Sequence, residues 1–278
     1  MSVTSLRAQR RNPEKAAVTG LPRRSAPRDD RTLKILCLYP NEMNIYGDHG
    51  NLLTLRRRAK LHGFKTEYIQ HEVGAKFDTS ADIILGGGGQ DSGQDKIKDD
   101  LIKNGQYLRD MAKNGTPMLV ICGLYQLFGH YFETNSGHHI DGISIFDAWT
   151  KAGPTRLIGN IITDAVIARS ASDEAIQSIG EIVGYENHSG LTYLNKGQKA
   201  LGKVVKGAGN NGEDGTEGAR TNNVFGSYLH GPILPKNPRL ADELIKIAAI
   251  KKYGEFTPQK IDDSVAEKTH SIAANRPR

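Results

Sequence analysis

The sequence predicts an α/β fold: a three-layer sandwich with a mostly parallel central sheet. Three observations carry that expectation. Short apolar runs that read as strands alternate with segments whose apolar residues recur at helical spacing. The first and fourth runs are almost wholly apolar, as expected of strands covered on both faces. Each run also ends in Pro, Gly or a sharp polar loop, so strand and helix follow one another as in parallel sheets flanked by helices.

The elements follow in order. Residues 33–39 are a short apolar run stopped by Pro40 and read as a buried first strand. After a polar loop, Asp48 is placed to cap a helix with Leu52, Leu55 and Ala59 on its inner face, ending at Gly63. Residues 64–69 alternate as a second strand, and residues 82–85 form a third that runs into four glycines, 86–89. Residues 95–114 have helical spacing at Ile97, Leu101, Ile102, Leu108 and Met111. Thr116-Pro117 then leads into a continuous apolar strand, Met118–Ile121. The second half reads as shorter, more antiparallel strands with a polar, Gly-rich insertion at 207–223. Asn237-Pro238 opens a last helix, since Pro is favoured in a first turn, with Leu240, Leu244, Ile247 and Ala248 on one face. The expected domain is 33–254, and residues 255–278 read as a loose polar tail.

Composition narrows the function classes. The 278 residues suffice for a sizeable core, and no apolar run approaches the ~20 residues that span a bilayer. The net charge of +6 is uneven: residues 1–34 hold nine Lys/Arg against three Asp/Glu, which leaves the remainder neutral. No aromatic residue precedes Tyr39 to stack on a base, so residues 1–32 are expected to be a disordered basic tail rather than a nucleic-acid arm. That tail lacks the apolar stretch of a secretory signal. Cys37 and Cys122 lie far apart, with no disulfide framework or metal-ligand spacing. A reducing cytoplasm is the expected location, and no metal is expected.

Cys122 carries most of the chemical information. It follows the strand Met118–Ile121 directly and precedes Gly123 and a helix expected from about residue 124. A nucleophile on such a strand-to-helix turn is raised above the sheet. The helix N-terminus would favour thiolate, and the Gly123 N–H could face a developing oxyanion. Position alone leaves Cys122 equally readable as a nucleophile or a buried structural thiol; Cys37, inside a strand, fits the second reading. A thiol nucleophile needs an acid–base partner, and histidine suits that role. His230 ends an apolar-flanked strand before Gly231-Pro232 forces a turn, which would place its ring at a strand end. His188 is the rival base, read here as structural or site-lining. The 86–89 glycines could expose backbone N–H groups to an anion or simply form a flexible turn. Arg156, in a Gly/Pro-flanked turn, could bind a carboxylate bidentately or be a solvated surface residue.

Several of these segments resemble one family. Residues 121–126 (Ile-Cys-Gly-Leu-Tyr-Gln) and 227–231 (Ser-Tyr-Leu-His-Gly) are similar to the nucleophile and histidine motifs of class I glutamine amidotransferases of the cobyric-acid-synthase type. These have a flavodoxin-like three-layer sandwich. With Asn41, Ile45, Tyr46, Gly47, Asp48, Gly50 and Asn51, the Gly86–Asp91 loop, Arg156 and residues 184–190, the chain resembles the GatD subunits of lipid II isoglutaminyl synthase over about residues 33–254. The resemblance implies that Cys122 is the nucleophile, His230 its partner, Arg156 the glutamine-binding residue, and Gly88 and Gly123 the oxyanion donors. It also implies a MurT-like Mur-ligase partner in a heterodimer. That partner would hold ATP and Mg and amidate the D-glutamate α-carboxyl of lipid II, so no cofactor is expected in this chain, and none of its segments is a Walker motif. An amidotransferase serving another synthetase of corrinoid type, or a non-catalytic flavodoxin-like binding module, are the alternatives. Three departures stand out: Val120 and Leu124 occupy positions where the family often has Gly, and Pro232 stands where many class I enzymes have the Glu that orients the histidine.

Overall fold

Residues 30–168 and 176–277 are described by the structure, a computed structural model. The expected basic tail at 1–32 lies outside the described residues except for its last three.

The first half of the chain lays down a parallel sheet. β1 (Thr32–Leu38) pairs in parallel with β2 (Lys65–His71) on one side and β3 (Ile83–Gly86) on the other. β3 pairs in turn with β4 (Met118–Ile121). Leu33, Ile35 and Leu36 of β1 and Val120 and Ile121 of β4 are fully buried, which matches the almost unbroken apolar runs. α1 (His49–Leu61) connects β1 to β2, and α2 (Asp91–Lys113) connects β3 to β4. These crossovers run in opposite directions along the sheet. Because such crossovers are right-handed, α1 and α2 cover opposite faces, which makes the three layers. The change of direction between β1 and β3 is the switch point at which ligand sites form in open α/β sheets.

After β4 comes α3 (Gly123–Leu127), a five-residue helix with every residue buried, shorter than the amphipathic helix expected there. A second, mainly antiparallel sheet follows: β5 (Tyr131–Glu133), β6 (His139–Asp141), the long pair β7 (Ala148–Ala168) and β8 (Ile176–Leu194), then β9 (Gly202–Lys206) and β10 (Thr216–Glu217). The chain then returns to the first sheet through β11 (Ala219–Thr221) and β12 (Val224–Ser227); β12 is parallel to β4 and only the edge strand β11 is antiparallel. The first sheet is therefore ordered β11-β12-β4-β3-β1-β2, the mostly parallel central sheet expected from the sequence.

α4 (Ile233–Lys236) precedes α5 (Pro238–Tyr253). α5 starts with Pro and stops at Gly254, whose φ of 79° lets its N–H turn back to the Ile250 carbonyl. Residues 255–278 are not a loose tail throughout: α6 (Ser264–Asn275) is a regular helix. None of its residues is fully buried; its inner face is the half-buried Ala266, His270, Ala273 and Ala274, too small to signal a helix from apolar spacing. Polar contacts tie it down. The His270 ring bonds the Lys236 carbonyl, and Arg58, itself buried, joins Asp263 just before the helix to Asp242 on α5.

Candidate active site

The loops after β1, β3, β4 and β12 converge at one edge of the central sheet, where parallel strands present their carboxyl ends. Cys122 stands there with φ 50° and ψ −107°, a conformation rare for a residue with a Cβ. The Ser227 carbonyl holds its N–H at 2.9 Å. The strained turn expected of a nucleophile elbow is therefore present. Leu124 and Val120 are accommodated by a glycine in the neighbouring strand. A Cβ on Gly86 would lie 2.5 Å from Leu124 Cδ1 and 3.2 Å from Val120 Cγ1. The room these larger residues require is supplied by β3.

The electrostatics differ from expectation. Burial pushes the Cys122 thiol up to about 12, reinforced by the nearby Asp48 carboxylate and opposed by the Gly123 N–H and Arg156. A five-residue helix in a dry setting does not offset desolvation, so the free chain holds a thiol rather than a thiolate.

His230 is 1% exposed. Its backbone is held on both sides by a two-way bridge to Tyr185, and Lys236 Nζ donates to its carbonyl at 3.2 Å. Burial drives its imidazole down to about 3, helped by His188, Arg156 and Lys236. Its ring packs 4.0 Å from that of Tyr46, and neither ring nitrogen has a hydrogen-bond partner among the described residues. Pro232 at the position of the missing acid is thus matched by an imidazole that no carboxylate in the described chain orients. Gly88 brings the two reactive groups together: a Cβ there would stand 3.1 Å from both Cys122 Cβ and His230 Cε1.

Gly88 is not placed as the expected oxyanion donor. Its N–H donates to Asp48 Oδ2 at 2.9 Å, and its carbonyl accepts from Ile45 N–H at 3.1 Å. Across a trans peptide the N–H and C=O point in opposite directions. The bond from Ile45 therefore turns the Gly89 N–H the other way, towards the elbow, where Gly89 N is 3.1 Å from the place a Gly123 Cβ would occupy. Gly89, not Gly88, lines the cavity with Cys122. Gly89 and Gly123 are the pair whose N–H groups can serve an oxyanion. The same contact overturns the capping role read for Asp48: its side chain makes no cap to α1 because it faces the glycine loop.

The cavity in front of Cys122 holds about 340 Å³ and is lined among others by Tyr46, Gln94, Gln126, Arg156, Asn187 and His188. Arg156 reaches it from inside β7, not from a turn. The β7–β8 register jumps between Ala152 and Leu157, so residues 153–156 bulge from the strand and re-aim the exposed guanidinium to Asn187 Oδ1 at 3.1 Å. His188 has a different setting from His230. Its Nδ1 bonds the Gly190 carbonyl at 2.7 Å, and its ring stacks on Tyr228 at 3.6 Å. Burial lowers it to about 4. A buried chain of bonds supports the cavity wall: Gln94 Nε2 to Gln126 Oε1, Gln126 Nε2 to Tyr228 OH, and Tyr228 OH to Thr192. Tyr46, Asp48, Gln94 and Asn187 had no role in the site assigned from sequence. The signal for Tyr46 and Asp48 was their place in the 41–51 motif.

A thiol, the Gly89 backbone, the His188 imidazole and a cation thus line a cavity of amino-acid size, with Gly123 and the His230 imidazole adjoining Cys122 outside that lining. Comparison with known proteins agrees. Residues 34–238 match the family described as the CobB/CobQ-like glutamine amidotransferase domain. The chain is 36% identical over 246 residues to "Lipid II isoglutaminyl synthase (glutamine-hydrolyzing) subunit GatD" of Staphylococcus aureus (strain N315), covering 88% of this chain and 96% of that one. It is 40% identical over 225 residues to the subunit of the same name from Streptococcus pneumoniae (strain ATCC BAA-255 / R6), covering 80% and 83%. Among solved structures, PurLQS from Thermotoga maritima superposes with a TM-score of 0.51 at 15% identity, covering 77% of this chain and 97% of the other, a likeness of fold.

Proposed function

The chain belongs to the CobB/CobQ-like glutamine amidotransferases and, among them, to the GatD subunits of lipid II isoglutaminyl synthase; from that membership we propose how its site hydrolyses glutamine and for whom. The observation that carries the proposal is the meeting of Cys122, on a strained elbow, with His230 across the Gly88 gap.

Glutamine enters the cavity with its α-carboxylate on Arg156, which is exposed at the rim and offers parallel donors. The Cys122 sulfur attacks the side-chain amide carbon, and the thiol proton passes to His230. The resulting oxyanion takes the Gly89 and Gly123 N–H groups; one such donor is typically worth about 3–4 kcal/mol of barrier. His230 then gives its proton to the amide nitrogen, the C–N bond breaks, and ammonia leaves a glutamyl thioester. Water, deprotonated by His230, attacks the thioester. Glutamate departs and the thiol recovers its proton. Both partners are neutral in the free chain, so bound glutamine and the partner subunit must favour the thiolate–imidazolium pair for turnover. The partner is a MurT-like Mur ligase that holds ATP and Mg, activates the D-glutamate α-carboxyl of lipid II and consumes the ammonia. No helix among the described residues is long and apolar enough to cross a membrane, and a cytoplasmic site of action suits the nucleotide-dependent partner.

The test is glutamate release from glutamine by the complex with its Mur-ligase-like partner. Wild type is expected to turn over and Cys122→Ala to fall to background. His230→Ala should lose turnover more completely than His188→Ala. Activity that survives Cys122→Ala defeats the enzymatic reading, and the reverse order of the histidines defeats the choice of base.

A further inference from the structure

The Asp48 carboxylate has an unusual placement for a residue at the start of a helix. It is 8% exposed, and it turns away from α1. Oδ2 accepts the Gly88 N–H, while Oδ1 is buried without a hydrogen-bond partner among the described residues. Burying a carboxylate in this way is unfavourable, so the contact must be fixed by the surrounding packing. Three residues earlier on the same loop, Ile45 N–H holds the other side of Gly88 through its carbonyl. Between them, Tyr46 lies against the His230 ring. One short loop thus grips the Gly88 peptide units at both ends and touches the imidazole.

We propose that Asp48 is a positioning residue for the oxyanion hole: by accepting the Gly88 N–H it fixes the 87–88 peptide, and together with the Ile45 N–H, which holds the Gly88 carbonyl of the next peptide, it keeps the loop in the arrangement that presents the Gly89 N–H to the substrate oxygen at Cys122. This rests on the glutaminase reading above. The chain leaves little freedom for another arrangement. Gly87 is packed so closely that a Cβ there would fall 2.1 Å from the Met43 carbonyl and 2.8 Å from Asp48 Cβ, and one on Gly89 would fall 2.5 Å from Met43 Sδ. Glycines are needed for the loop to lie against 42–48, but glycines alone do not choose a rotation. The two bonds on Gly88, its N–H to Asp48 and the Ile45 N–H to its carbonyl, do so together.

A simple charge effect predicts a different outcome. The Asp48 carboxylate opposes ionisation of Cys122, so if that were its only influence, removing it would make the thiol more reactive towards every electrophile. The positioning role affects only reactions that build an oxyanion.

The experiment uses the full complex with its partner, comparing wild type, Asp48→Ala and Asp48→Asn. Asp48→Ala is expected to lower kcat for glutamate release about 10- to 100-fold, short of or approaching the loss of a whole donor, with the glutamine KM within about threefold. Asp48→Asn, which keeps an acceptor oxygen, is expected to recover most of that loss. Inactivation of Cys122 by a γ-halomethyl ketone analogue of glutamine should slow in Asp48→Ala, while alkylation by iodoacetamide stays level or quickens; this ratio is read on folded protein and is independent of a modest stability loss. Wild-type kcat in Asp48→Ala, equal losses in the Ala and Asn variants, or parallel slowing of both reagents would each overturn the proposal. If wild type itself releases no glutamate, the underlying glutaminase reading fails, which is a separate result.

Discussion

Gly88→Ala tests the geometry of the site with a single methyl group. The backbone tolerates the change, because Gly88 is not in the left-handed region. The methyl would sit 3.1 Å from Cys122 Cβ, 3.1 Å from His230 Cε1 and 3.5 Å from Tyr46 Cδ2. Non-bonded carbons prefer about 3.5–4.0 Å, so the thiol and imidazole must each retreat by roughly half an ångström. Either movement disturbs the alignment of sulfur and imidazole. A misplacement of about 1 Å at reacting groups costs about 100-fold in rate, so kcat/KM is expected to fall at least tenfold and as much as a few hundredfold. Overpacking costs about 1–3 kcal/mol of stability, and the lower end is expected because neither His230 nitrogen is tied among the described residues and the ring can yield. The assay is glutamate release by the complex, paired with urea unfolding of the isolated chain. Wild-type turnover in a folded Gly88→Ala variant would refute the placement of Cys122 and His230 on the two sides of this glycine.

Four further outcomes are expected. With burial holding the Cys122 thiol at about 12, iodoacetamide should modify Cys122 in the free chain slowly at pH 7 and faster by about tenfold per pH unit through pH 9. A plateau below pH 8, with Cys122→Ala as control, would contradict the buried neutral thiol. His230, held down to about 3, stays neutral in the folded chain while the unfolded chain takes a proton below about pH 6.5. Its contribution is therefore present above pH 6.5 and lost as pH falls towards 3, and His230→Gln should show a smaller loss of urea stability between pH 7 and pH 4 than wild type; identical pH slopes would be the contrary result. Tyr228→Phe removes the partner of Gln126 Nε2 and Thr192 in a fully buried place, and a loss of about 1–3 kcal/mol in urea unfolding is expected, against which a change below ~0.5 kcal/mol would count. Arg58→Ala strands Asp242 and Asp263, and because both carboxylates keep some contact with water the expected loss is about 2–4 kcal/mol, with earlier proteolysis of the 255–278 segment; a protease pattern like that of wild type would argue against α6 being held by Arg58.

Much of this protein is legible in one dimension because its determinants are local. The runs that became β1 and β4 are buried on both faces, so continuous apolarity identified them. Pro238 and Gly254 marked the two ends of α5 through constraints that each residue carries in its own backbone. Position alone left Cys122 equally readable as a nucleophile or a buried thiol, and it was the motifs around it and His230 that pointed to the amidotransferases. What was misread depends on contacts between distant segments. Asp48 has the sequence context of a helix cap, yet a glycine forty residues away takes its carboxylate. That contact, with Ile45 on the other side of Gly88, moves the available oxyanion donor from Gly88 to Gly89. A helix macrodipole read from sequence favours thiolate at Cys122, whereas desolvation, which only packing reveals, outweighs it. Arg156 reaches the cavity through a bulge set by its pairing with β8, and α6, whose inner face is only half-buried and mostly alanine, is tied down by Arg58 and Lys236 from distant segments. The chemical identity of the site resides in residues a few positions apart; its protonation states and donor geometry arise where four loops meet, because burial and hydrogen-bond direction are properties of the assembled space.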